Sequence, residues 1–263
     1  GVQGRSEVWI GEQSGKTQDR GEVVPATDCV VACASVAPKG NKKYVALTFD
    51  EGPSGATKQI LQVLKEKGVT ATFFLSGDAA EASPATAKAI VDAGCEIGSN
   101  SYSDDSLKGQ DREAVREQIT KGTDAIKSTS GVKTMLLRAP YAAFDEQNWI
   151  DAMDLVSAVV SWNIDSGDWL LNGADEQAST VLDSVTPGNI VLLTDRDECA
   201  EQTLEALPQI IDGLIADGYK IVTLSDLVKT DTSLSKKLTS LTKATMPKGA
   251  VFPQLAEDDD ATE

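Results

Sequence analysis

Histidine is absent from all 263 residues. Without imidazole the chain has no side chain whose ordinary pKa lies near neutrality, and none of the ligand that zinc, cobalt and nickel favour. Imidazole acid–base catalysis, histidine-activated nucleophiles and histidine-ligated metal centres are thereby excluded. Basic residues are scarce, with 24 Lys and Arg against 41 Asp and Glu and a net charge of −17. A nucleic-acid surface needs clustered cations to neutralise phosphates, so nucleic acid is not an expected partner. Charge of this sign suits a solvated surface or a bound cation. Cysteines number four, too few for a disulfide-framed scaffold, and none is in Cys-x-x-Cys spacing, which excludes a zinc knuckle. Cys29 and Cys33 either pair with each other or stay reduced, and Cys95 sits in an apolar strand context where a thiol acts as a small hydrophobe. No apolar run reaches the roughly 18 residues of a membrane span, and the N-terminus lacks the layout of a signal peptide. An extracellular or cell-surface location therefore implies that a targeting segment has been removed.

Hydrophobic residues make up 41% of the chain, enough for one substantial core. Residues 1–42 mix Gly, Ser, charges and short apolar bits such as Val8-Trp9-Ile10 with no helical period, and read as a lead-in. From Lys43 short β-branched or aromatic runs alternate with longer amphipathic stretches, the pattern of βα units on a parallel sheet. Strands are expected at 44–49, 70–75, 96–98, 134–138, 156–162, 190–193 and 220–223. Helices are expected at 55–67, 79–93, 110–128, 145–153, 174–184, 201–217 and 225–229. Seven or eight such units close most economically as a distorted, TIM-like (β/α) barrel over residues 43–229, with the site at the C-terminal strand ends. Residues 230–263 form an extension, with a surface helix expected over 230–243 and an acidic tail.

The polar clusters gather where that barrel would present them. In Thr48-Phe49-Asp50-Glu51-Gly52-Pro53, Asp50 and Glu51 follow the first strand, and the Gly and Pro force a turn that exposes these two adjacent carboxylates. Asn100-Ser101-Tyr102-Ser103-Asp104 follows the third strand, and Arg138 of Leu137-Arg138-Ala139-Pro140-Tyr141 stands at the end of the fourth. Asp165 and Asp168, in Asp165-Ser166-Gly167-Asp168-Trp169, follow the fifth, and Thr194-Asp195, after Leu192-Leu193, the sixth. A scatter of polar residues among loops and helix faces would not place them all at strand ends.

In order and spacing these five segments resemble the motifs of the polysaccharide deacetylases with a NodB homology domain, carbohydrate esterase family 4, over residues 43–228. The resemblance implies a metal-dependent hydrolase that removes acetyl groups from glycans. It implies that Asp50 is the general base, that Arg138 pairs with and orients it, that Asp165 holds Arg138, and that the Tyr141 backbone N–H helps hold the oxyanion. Trp169 and Leu192 would wall the acetyl pocket. The metal positions fall on Glu51, Asn100 and Asp104, and the general-acid position on Thr194.

The chain departs from the family at each of the last four. Glu51 carries one methylene more than the expected Asp, Asn100 and Asp104 replace two His, and Thr194 replaces the acid. An oxygen set of this kind suits magnesium, calcium or manganese better than zinc. A catalytic metal lowers the pKa of bound water from 15.7 to about 7, roughly 12 kcal/mol of easier deprotonation. Loss of the acid costs a further ~10²–10⁴-fold. These magnitudes favour a glycan-binding or regulatory pseudoenzyme at the cell wall, taking acetylated glycan or peptidoglycan fragments and no cofactor. The alternatives are an active deacetylase with one carboxylate-bound divalent cation, and an interaction module with a vestigial pocket.

Overall fold

The computed structural model describes residues 5–11, 17–23, 30–31, 36–152, 154–234 and 250–251. In chain order the strands are β1 (Arg5–Gly11), β2 (Thr17–Val23), β3 (Val30–Val31), β4 (Tyr44–Asp50), β5 (Thr72–Leu75), β6 (Glu96–Ser99), β7 (Leu136–Leu137), β8 (Ala158–Val160), β9 (Ile164–Asp165), β10 (Asn189–Thr194), β11 (Lys220–Ile221) and β12 (Ala250–Val251). The helices are α1 (Thr57–Lys67), α2 (Gly77–Ala82), α3 (Pro84–Asp92), α4 (Arg112–Ser130), α5 (Glu146–Ala152), α6 (Ala174–Leu182), α7 (Ala200–Ala216) and α8 (Leu224–Thr230). β12, β1 and β2 make a separate antiparallel sheet. The remaining strands form a parallel sheet in the order β3-β8-β7-β6-β5-β4-β10-β9, with β11 beside β4.

The connection between β8 and β9 dictates the shape of this sheet. They lie at opposite ends of a seven-strand run, which laid flat would span about 29 Å at ~4.8 Å per strand. Only Ser161, Trp162 and Asn163 join Val160 to Ile164, a link that reaches about 14 Å at most. The sheet must therefore curl until its ends approach, and it forms the distorted barrel expected from the alternating pattern.

Curling gives each strand two unlike faces. Val45, Leu47 and Phe49 of β4 point outward into a core with Ile60, Leu61 and Leu64 of α1 and Leu207, Ile210, Ile211 and Leu214 of α7. Phe49 stacks on Phe73 at 4.9 Å. On the inner face, Ala46 packs with Phe74, Ala158, Val160 and Ile190, and Leu224, Leu227 and Val228 of α8 join that cluster. The same period of two that sends Ala46 inward sends Thr48 and Asp50 inward, to the C-terminal rim.

Several elements differ from the sequence expectation. The helix expected over 79–93 is two, broken at Ser83, because Pro84 disfavours helical backbone before it and opens α3 instead. The strands expected over 134–138 and 156–162 shorten to β7 and β8. β1 and β2 are strands in a lead-in without period, and β3 adds Val30 and Val31 to the edge of the barrel sheet beside β8. Cys95 and Cys199 are free and buried, Cys95 as a small hydrophobe. Cys29, Cys33, the expected surface helix beyond Leu234 and the acidic tail lie outside the described residues. Among the described residues no helix is long and apolar enough to cross a membrane.

Candidate functional site

The strand ladder continues one step past each strand and fixes the rim. Glu51 N donates to Phe74 O, Asn100 N to Leu75 O at 2.8 Å, Arg138 N to Ser99 O at 2.8 Å, and Ser166 N to Leu192 O. Asp195 N donates to Asp50 O at 2.8 Å, and Thr194 lies opposite Asp50 in register. Backbone strain collects at this rim as well. Glu51, Ser101, Tyr141, Ala142 and Leu171 all take positive φ, between 53° and 74°. Non-glycine residues held there cost about 1–3 kcal/mol each and persist where the surroundings over-determine them, as at functional sites.

Arg138 is the central buried group, with no exposed surface. Its Nη1 donates to Asp50 Oδ1 at 2.7 Å and to Thr48 Oγ1 at 2.7 Å, Nε to Val160 O at 3.2 Å, and Nη2 to Ser161 O at 3.1 Å. The Thr48 hydroxyl in turn donates to Val191 O at 2.6 Å. The guanidinium carbon lies 4.3 Å from the Phe74 ring centroid and 5.4 Å from that of Trp162. A buried charge is tolerable only when paired and hydrogen-bonded like this. Burial pushes the Asp50 carboxyl up to about 6, against the opposing pull of Arg138. The pairing expected between Arg138 and Asp50 is present.

The expected role of Asp165 is not. Asp165 accepts from Gly167 N at 2.9 Å and from Trp169 Nε1 at 3.1 Å, and the Arg138 donors go elsewhere. The chain turns at Gly167, which takes φ 72°, so Asp165 holds the ring of Trp169 while Asp168 swings inward. Asp168 is fully buried. Its Oδ2 accepts from Thr194 N at 2.6 Å and its Oδ1 lies 3.0 Å from Thr194 Oγ1. Burial pushes the Asp168 carboxyl up to about 6. Trp169 is half exposed, and Leu192 is buried beside the rim, opposite Asp165 in register.

Asp195 ties β10 to the first motif. Its carboxylate accepts from Ser54 Oγ at 2.6 Å and Thr57 Oγ1 at 2.5 Å. A Cβ on Gly52 would stand 2.2 Å from its Oδ2, so position 52 accepts only glycine while Asp195 keeps this place.

Glu51 and Asp104 converge on a residue that sequence reasoning passed over, Arg196. Arg196 Nε and Nη2 both donate to Glu51 Oε2. Nη2 also lies 3.8 Å from Asp104 Oδ2, which accepts from Tyr141 Oη at 2.7 Å. Asn100 is buried, and its amide donates to Arg138 O at 2.8 Å. Among the described residues no group of three or more His, Cys, Asp or Glu side chains could hold a metal ion. The donors of Glu51, Asn100 and Asp104, expected at metal positions, are committed to protein partners, and as arranged they do not fit a divalent cation.

A curled parallel barrel carrying an arginine-paired aspartate at its strand ends belongs to the class of (β/α) barrels that work from that rim. The family model for polysaccharide deacetylases matches residues 37–156. A peptidoglycan-N-acetylglucosamine deacetylase of Bacillus cereus is 33% identical over 217 residues, covering 82% of this chain and 79% of that protein. The chain belongs to the polysaccharide deacetylase family. A bifunctional xylanase/deacetylase of Pseudobutyrivibrio xylanivorans is 37% identical over 71% of this chain. The chain spans about a third of that relative's length (31%), and less than half (44%) of the peptidoglycan-N-acetylglucosamine deacetylase PgdA of Listeria monocytogenes.

Solved structures agree. A peptidoglycan N-acetylglucosamine deacetylase superimposes with a TM-score of 0.69 at 32% identity, covering 76% of this chain and 92% of that one. A Bacillus anthracis protein described as a pseudoenzyme of carbohydrate esterase family 4 superimposes at 0.67 with 29% identity, covering 74% and 70%. A mutant of that pseudoenzyme, described as having restored enzymatic activity, does so equally well.

Proposed function

We propose that this chain recognises acetylated glycans, peptidoglycan fragments foremost, as a binding or regulatory pseudoenzyme without ordinary metal-dependent deacetylation, at an extracellular or cell-surface location. The observation that carries this reading is Thr194. It stands at the position the family gives to the general acid, with both its N–H and its hydroxyl engaged by Asp168. A threonine hydroxyl titrates far above neutrality and cannot deliver a proton to a leaving amine as an imidazolium does. The elements that shape a pocket persist. Asp50 is oriented by Arg138, and Trp169 offers a ring held by Asp165 as a platform for a sugar face. The Bacillus anthracis relative supports the reading, since its description as a pseudoenzyme goes with the same fold.

A second reading, an active deacetylase using a carboxylate-bound metal at Glu51 and Asp104, draws on Asp50. A buried carboxyl pushed up to about 6 is poised near neutrality, as a general base should be.

Acetate release from N-acetylated glucosamine and muramic acid oligosaccharides, with zinc, manganese, cobalt, magnesium or calcium supplied, separates the two. No release is expected, together with saturable oligosaccharide binding that weakens about tenfold in Trp169→Ala. Release that disappears in Asp50→Ala would establish the second reading. Absence of saturable binding would leave an interaction module with a vestigial pocket.

A further inference from the structure

We infer that Arg196 is a built-in replacement for the divalent cation of the family, a guanidinium that the chain itself delivers between Glu51 and Asp104. Three observations meet here. The two carboxylates at metal positions share the one guanidinium, Glu51 as a two-N–H acceptor and Asp104 at 3.8 Å. The third metal position, Asn100, is turned away, its amide donating to the Arg138 carbonyl rather than into the site. Arg196 is the second residue after Thr194, at the end of β10, so the strand that lost the acid also places the new cation.

The arrangement is self-consistent in charge. Glu51 and Asp104 repel each other, and a permanent positive charge between them offsets that repulsion as a metal would. The longer Glu51 side chain gains a purpose, since its extra methylene brings a carboxylate to a guanidinium fork. Tyr141 completes the cluster by donating to the oxygen of Asp104 that faces Arg196.

Chemically the substitution is unequal. A guanidinium neutralises carboxylates and donates hydrogen bonds to a ligand's carbonyl or carboxylate, but it binds no water to ionise and stays protonated throughout the physiological range. A pocket so equipped orients an acyl group and has no metal-bound hydroxide to attack it. Ligand binding here should therefore be indifferent to divalent cations and to chelators. The inference rests on the assignment of Glu51, Asn100 and Asp104 to metal positions, and on no result for glycans.

The test is cation binding. Manganous ion uptake, followed by the electron paramagnetic resonance of the free ion, is measured on the wild-type chain and on Arg196→Ala. Zinc uptake, followed by calorimetry, is measured on the triple substitution Glu51→Asp, Asn100→His, Asp104→His, with Arg196 kept and with Arg196→Ala added. Arg196 is at the surface of the rim, and thermal unfolding of each variant verifies that it is folded. Removal of Arg196 is expected to raise cation affinity about tenfold or more in at least one background, because the site then loses its competing charge. Stoichiometric micromolar uptake by the wild-type chain, or equal affinity with and without Arg196 in both backgrounds, would overturn the inference. Neither readout involves acetate release or oligosaccharide, so the proposed function and this inference fail separately.

Discussion

At the scale of single residues, the pair Asp168–Thr194 concentrates a proton-linked energy. The folded chain holds the Asp168 proton more tightly than an unfolded carboxyl with its value of 3.8, because burial raises it to about 6. The resulting stabilisation is complete below pH 3.8 and is lost as pH rises through about 6, amounting to about 3 kcal/mol. Asp168→Asn, which cannot ionise, should lack this dependence. The stability difference between wild type and variant, from urea unfolding at pH 4 and pH 7, is expected to move against the wild type by about that amount. A difference independent of pH would show that Asp168 is ionised throughout. Asp168 also marks where residue-level reading of the sequence stops. Asp50 and Arg138 were legible because each stands at the C-terminal end of a strand and their spacing matches a known motif. Asp165 ends β9 and Asp168 stands three residues on, with the left-handed turn at Gly167 between them, a turn the period of two does not foretell. Arg196 was invisible for a related reason, since the direction of a side chain two residues beyond a strand depends on the loop and not on the period of two.

Among elements, β5 and β6 show how backbone pairing prepares the site. They run in parallel register with Phe74 opposite Gly98. A Cβ at Gly98 would come within 2.5 Å of the Phe74 ring, and that ring lies under the Arg138 guanidinium. Gly98→Ala should therefore push Phe74 toward Arg138 and destabilise the chain by about 1–3 kcal/mol in denaturant unfolding. Adding Phe74→Leu should return part of that loss, a coupling that a double-mutant cycle measures. Additive effects would mean that the alanine is accommodated elsewhere. The long helices and central strands were readable because their apolar periods are strong. β7 and β11, expected at 134–138 and 220–223, keep two residues each, whereas the unexpected β9 is two residues long, too short to carry a period, and exists through pairing with β10. β1 and β2 pair with one another across residues whose pattern favours neither strand nor helix, so their pairing is a tertiary fact.

For the whole molecule, the link Ser161-Trp162-Asn163 has two duties at once. It spans the closing gap of the curled sheet, and Ser161 O receives the Arg138 guanidinium beside Val160 O. Its far end is stitched to β10, with Asn163 N donating to Ile190 O at 3.0 Å and Ile190 N to the Asn163 side chain at 2.8 Å. The link that closes the barrel and the carboxylate of Asp50 are therefore held by one guanidinium. In amide hydrogen exchange, Arg138→Met should accelerate Asn163 and Ile190 about tenfold or more ahead of the helix amides of α1 and α7, as a clasp that opens locally. Uniform acceleration across the chain would mean that the clasp and the core open together. The clasp that shuts the barrel is thus also the seat of the Arg138 charge.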